Sequence, residues 1–160
     1  MKTNQLSRII TTLIVCFTLS SFTPSQKSYQ TECVSLDTDG YVTVKIWDTK
    51  KGKSYKPEQA RMDAIHALLY SGIAGANGCS SQKPILLNSE ETTNFRAIEN
   101  TFFKKNGAWS KYTRSSTPET TLPVNIGKKD WKVYQVSVAK DLLRKDLAEQ
   151  KIIKSLNTGF

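Results

Sequence analysis

The chain predicts an α+β two-layer sandwich, in which a small, mostly antiparallel sheet of about three strands is covered by about three helices. Three observations carry this. Segments 41–47 and 131–138 are rich in β-branched and aromatic residues that alternate with period two. Segments opening at Pro57, Asn88 and Asp141 place apolar residues at helical spacing. The resulting order of strand, helix, helix, strand, strand, helix lacks the regular strand–helix alternation of a doubly wound sheet.

Each element has its local reason. In 41–47 (YVTVKIW), opened by Asp39-Gly40, Val42, Val44 and Ile46 share one face, and Tyr41, Thr43, Lys45 and Trp47 the other. Residues 48–56 form a lysine-rich turn centred on Gly52. Pro57 suits a first helical turn and Glu58 the positive helix end. Ala60, Ala64, Ala67 and Leu68 then recur along one face up to a stop at Gly72, and their small side chains let the helix lie close on a sheet. Residues 72–83 are a glycine-rich loop, and 84–87 a short extended piece. Asn88 followed by Glu91 has the form of a capping box; Phe95, Ile98 and Phe102 supply the second helix's apolar face and Gly107 its end. Residues 109–113 read as extended, and 114–130, rich in Ser, Thr, Pro and Lys, as a mobile loop. In the strand 131–138, Tyr134, Val136 and Val138 alternate with Val133, Gln135 and Ser137. The last helix, from Asp141 to about Leu156, is expected to bury Leu142, Leu143, Leu147, Ile153 and Leu156, with Asp146 and Glu149 intruding on that face.

The first 25 residues stand apart from this pattern. Lys2 and Arg8 precede an apolar run of 14 residues (9–22), whose end carries Ser20 and Ser21 and which Thr23, Pro24 and Ser25 follow. Positive, apolar, then small is the layout of a cleavable export signal, and the run is too short for a permanent membrane span of about 20 residues. Cys16 is a poor lipidation site, because Val15 stands where a small residue is required. The expected organisation is a signal peptide over 1–25 and one α+β domain over 26–160, whose first segment, 26–38, is polar and reads as a loose arm. Export places the domain in the periplasm or outside the cell, with association to the outer membrane an option.

The 160 residues are 38% hydrophobic and 23% charged, which excludes a disordered chain. With 23 Lys+Arg against 14 Asp+Glu the net charge is +9; removal of Lys2 and Arg8 leaves 21 basic residues against the same 14 acids, or +7. Cys33 and Cys79 remain, and in an oxidising compartment they predict a disulfide, with two buried thiols as the alternative. Three cysteines and one histidine are too few to favour a Cys/His zinc framework, and the lone His66 leaves little material for a nucleophile–histidine device.

The residues 40–47 (GYVTVKIW), 60–75 (ARMDAIHALLYSGIAG), Gly78-Cys79 and Gln82-Lys83-Pro84 resemble an uncharacterised family of small exported proteins from Bacteroidota-type bacteria, over about residues 38–156. More distantly, a strand followed by an alanine-rich helix and a glycine loop is similar to the N-terminal domain of flagellar assembly protein T and related envelope lipoproteins. The resemblance implies an α+β envelope module and transfers no catalytic residue. The chain departs from the lipoprotein relatives in lacking a lipobox.

Few residues offer chemistry. Gly72, Gly75 and Gly78 have the spacing of a phosphate cradle, but they follow a helix where the dinucleotide fingerprint follows a strand, so they read as a helix stop and loop. His66, between Ile65 and Ala67, reads as a packing or surface histidine, and Glu90-Glu91 as helix-start carboxylates. No carboxylate pair or nucleophile with a base stands at interpretable spacing. No metal or cofactor is expected.

The lysines carry more. Lys45, Lys50, Lys51, Lys53 and Lys56 cluster around the first turn, and Lys128, Lys129 and Lys132 precede the later strand. If the two strands pair, they form one cationic edge with Trp47, Tyr55 and Trp131 nearby, a surface for an anionic partner rather than for nucleic acid, given export. A merely solvated, aggregation-resisting surface is the competing account. The sequence therefore predicts a non-enzymatic cell-envelope module, periplasmic or secreted, that binds or scaffolds another component, an envelope protein or an anionic polymer; the alternative is a domain that binds an anionic envelope polymer or glycan through the lysine edge. No nucleic-acid partner and no transmembrane helix in the mature chain are expected, and no oligomeric state is set.

Overall fold

The computed structural model describes residues 27–114, 117–119 and 131–155. The segment 1–25 expected to be a signal peptide, Lys128, Lys129, most of the expected 114–130 loop and Leu156 lie outside the described residues.

The fold is the expected α+β sandwich. Strands β1 (Tyr29–Leu36), β2 (Tyr41–Asp48), β3 (Thr117–Glu119) and β4 (Val133–Ala139) form an antiparallel sheet in the order β1-β2-β4-β3. Three helices accompany it: α1 (Pro57–His66, prolonged by a π turn Ala67–Ser71), α2 (Ser89–Phe102) and α3 (Lys140–Glu149).

The register explains the core. Val42, Val44 and Ile46 of β2 face Val138, Val136 and Tyr134 of β4. All six are nearly or wholly buried, which makes this sheet face the floor of the core. Ala60, Ala64 and Ala67 of α1 are fully buried, as their small size and spacing predict. Leu68, Leu69, Phe95, Leu143 and Leu147 fill the rest, each contributing roughly 1.5–3 kcal/mol by leaving water.

Several expectations change. The supposed arm 26–38 is mostly strand β1, whose residues Tyr29, Thr31 and Cys33 pair with Asp48, Ile46 and Val44. Its polar composition hid it, because an edge strand needs only one buried face, and β1 supplies little more than Cys33 at 1% exposure. Of residues 109–113 only Thr113 is extended, bridged to Val138; Ala108–Tyr112 is a 3-10 turn that buries Trp109 and Tyr112. Residues 84–87 join no strand; Ile85 and Leu86 donate their N–H groups to the Leu68 and Leu69 carbonyls that the π turn leaves open. Helix α3 ends at Glu149, and the Ile152 and Ile153 amides fold back onto the Leu147 carbonyl, so these side chains reach the core after the helix. Leu142 is 44% exposed, one position off the Leu143–Leu147 stripe.

The caps follow the sequence closely. Asn88 Oδ1 accepts from Glu91 N at 2.9 Å, while the Glu91 carboxylate reaches Leu87 N rather than closing the box on Asn88. Gly72 ends the π turn at φ 75, a conformation L-residues avoid. The glycine-rich loop behind it is a small hairpin, bridged at Ile73–Gln82 and Ala76–Cys79. The Cys33 and Cys79 sulfurs stand at bonding distance, with Cα atoms 5.6 Å apart, and tie this hairpin to β1.

Candidate functional site: a cationic end of the sheet

Pairing of Trp47 with Val133 brings Lys132 beside the end of β2, from which the lysine-rich turn leaves. Asp48 builds that turn. Its carboxylate is 3% exposed and accepts from the Ser28 hydroxyl (2.8 Å), Lys50 N (2.8 Å) and Lys51 N (2.9 Å). Burial pushes the Asp48 carboxyl up, but the Lys51 N–H, Ser28 hydroxyl and Lys50 N–H together with the Lys51 charge outweigh it and hold it below the usual range. The ionised Asp48 thus fixes the backbone that projects Lys50, Lys51 and Lys53 into solvent.

The far side of the turn is equally anchored. Tyr55 is fully buried; its carbonyl accepts from the Tyr134 hydroxyl (2.9 Å), and its own hydroxyl donates to Asp63 (3.0 Å). Lys51 Nζ lies 5.7 Å from the Tyr55 ring centroid and 4.0 Å from Asp48. Trp131 packs on the turn, since a Cβ built on Gly52 would meet its Cδ1 at 3.6 Å.

The structure therefore gathers exposed Lys50, Lys51, Lys53, Lys56 and Lys132 at one end. It separates Lys45, which is half-buried in mid-sheet between Glu32 on β1 and Gln135 on β4. Trp47 is 3% exposed and so is no open stacking platform. Among the described residues neither Trp47 Nε1 nor Trp131 Nε1, both buried donors, has an acceptor, a departure from the rule that buried polar groups are paired.

A basic groove continues from Lys56. Lys56, Glu58, Arg61, Lys105 and Trp109 line a hollow of about 590 Å³. Arg61 is locked there: Nε donates to Thr113 Oγ1 (2.8 Å), Nη2 to the Ser110 and Thr113 carbonyls (3.3 Å each), and the guanidinium lies 5.2 Å from the Trp109 ring centroid. Sequence reasoning missed Arg61 and Lys105, which are 44 residues apart and meet only through the packing of α1 beside the 3-10 turn.

On the other side of α1, Lys27, Gln59, Asp63, His66, Glu99 and Phe103 line a smaller hollow of about 270 Å³. The Tyr29 hydroxyl hydrogen-bonds His66 Nδ1 at 2.7 Å. Burial, helped by the Lys27 charge, pushes His66 down to about 4, so the imidazole is neutral at pH 7. Burial raises the Asp63 carboxyl against the opposing hydrogen bonds from Gln59 and Tyr55. His66 is thus a half-buried packing residue against Tyr70, whose ring centroid is 4.6 Å away. A third hollow, of about 540 Å³ along α3, mixes Arg144, Lys145 and Lys154 with Asp141 and Glu149, so it presents no single sign of charge.

Among the described residues, no group of three or more His, Cys, Asp or Glu side chains is placed to hold a metal ion, and no helix is long and apolar enough to cross a membrane. No protein-family model matches the chain, and no curated protein or solved structure matches it either.

Proposed function

We propose that the protein is an exported, non-enzymatic envelope module that binds an anionic polymer through the cationic end of its sheet. The observation that carries this reading is the convergence of Lys50, Lys51, Lys53 and Lys56 with Lys132 on a turn held rigid by Asp48 and Tyr55. A rigid backbone reduces the ordering cost of binding, and a one-signed cluster attracts polyanions over a Debye length of about 8 Å at physiological salt.

The test is retention of the protein on an immobilised acidic envelope polymer across a salt gradient. Retention should fall steadily as salt rises, and the double substitution Lys51→Glu with Lys53→Glu should abolish most of it. Retention indifferent to ionic strength would defeat the proposal. A scaffolding role for an envelope protein is the second reading; its support is Val34 and Leu36, 37% and 48% exposed on edge strand β1.

A further inference from the structure

We infer that the groove between α1 and the Ala108–Tyr112 turn is a subsite for one ring of an acidic polysaccharide, continuous with the lysine turn through Lys56; this rests on the anionic-polymer reading above and names its ligand. Lys56 belongs to both surfaces, as the last residue before α1 and as a wall of the hollow. A chain held by Lys51 and Lys53 therefore has a charged path into the groove.

The groove differs from the turn in ways that select a sugar. Its volume of about 590 Å³ admits a ring, whereas the lysine turn is open. The exposed Pro57 provides apolar wall, which fits the C–H face of a pyranose and gives nothing to a bare phosphate chain, while Trp109, 2% exposed, contributes to the lining only from within the core. Lys56 and Lys105 flank that wall, each exposed and free to meet a carboxylate or sulfate. Arg61 adds a fixed positive charge, since its Nε and Nη2 donors are held by Ser110 and Thr113. Glu58 distinguishes the two ligand chemistries through hydroxyls, which an acidic sugar has and a polyphosphate chain lacks. A carboxylate in the groove repels a polyphosphate but accepts hydrogen bonds from sugar hydroxyls.

The experiment is a two-dimensional NMR titration of the purified protein with a heparin tetrasaccharide, as a sulfated uronic-acid probe, and separately with linear polyphosphate of matched charge. Trp109 supplies the reporter, because it belongs to the groove lining and its indole N–H donates to the Lys104 carbonyl at 3.0 Å, next to Lys105. With the tetrasaccharide, the Trp109 indole and the Lys105 and Ser110 amides should shift together with those of Lys50–Lys53. Lys105→Glu should weaken tetrasaccharide binding roughly three- to tenfold, and Lys83→Glu, an equal change of net charge on an exposed lysine outside the groove, should leave it nearly unchanged. Shifts confined to the lysine turn, with Lys105→Glu binding as tightly as the parent, overturn the groove and leave the polymer reading intact. Equal shifts of the Trp109 signal with polyphosphate overturn the sugar assignment. No shift anywhere with either probe overturns both.

Discussion

Removing the Cys33–Cys79 link tests how the edge of the sheet is held. The two cysteines are 46 residues apart in sequence, so the crosslink closes a loop containing β2, α1 and most of the glycine-rich hairpin. On the chain-entropy account such a loop restricts the unfolded ensemble by about 4 kcal/mol. That is a large share of the 5–15 kcal/mol typical of a domain. The native contacts already place the glycine-rich hairpin there: Cys33 pairs with Val44, and Cys33 N donates to the Ala74 carbonyl at 2.8 Å, so the hairpin is held against β1 by backbone as well as by the link. The double variant Cys33→Ala with Cys79→Ala should keep its far-ultraviolet circular dichroism and lose about 4 kcal/mol in urea unfolding. With a urea m-value of about 1.5–2 kcal/mol/M the midpoint should drop by roughly 2–3 M. Reductant should move the parent protein by the same amount and the variant not at all. Two titratable thiols in the denatured, unreduced parent, or an unchanged midpoint on reduction, would refute the reasoning.

Three further outcomes follow from single groups. His66, neutral at pH 7 and titrating near 4 when folded but near 6.5 when unfolded, binds more protons in the unfolded chain between those values, so stability should rise with pH across that window. Because the ring is only partly buried, solvent screening reduces the effect to about 1–2 kcal/mol. His66→Gln should flatten that part of the urea-midpoint profile. The raised Asp63 and lowered Asp48 titrate in both proteins, Asp63 losing and Asp48 gaining stability as pH rises, so the difference isolates His66. Gly72→Ala should cost more than about 2 kcal/mol in thermal or urea unfolding, since φ is 75 and the added Cβ would stand 2.3 Å from the Gln82 carbonyl oxygen. Asn88→Ala should cost about 1 kcal/mol through the lost cap on Glu91 N, and Asn88→Ser should restore most of it.

How much was legible depended on how local the cause was. The β2 alternation, the alanine face of α1, the Asn88 cap and the Gly72 stop are set within a few residues of themselves, and all stand in the structure where the sequence places them. β1 was missed because its order comes from β2 and from the tie to the 73–82 hairpin, not from its own polar residues. Trp109 and Tyr112 looked like strand residues because aromatic content is shared by strands and buried turns; what curls them is the pocket under Arg61 and the acceptor at Lys104.

For the site, the sequence alone determined the charge, the density of lysines between 45 and 56, and the pairing chemistry available to Cys33 and Cys79. Only the tertiary structure decided which lysines stand together. The register of β2 on β4 sets Lys132 beside the turn and leaves Lys45 in mid-sheet with Glu32, because a strand residue's neighbours lie across the ladder and not along the chain. Packing of α1 likewise set Arg61 over Trp109 and opened the groove toward Lys105. Charge is a property of residues and survives any folding; a site is a property of distances, and those were made by the sheet and the helix laid on it.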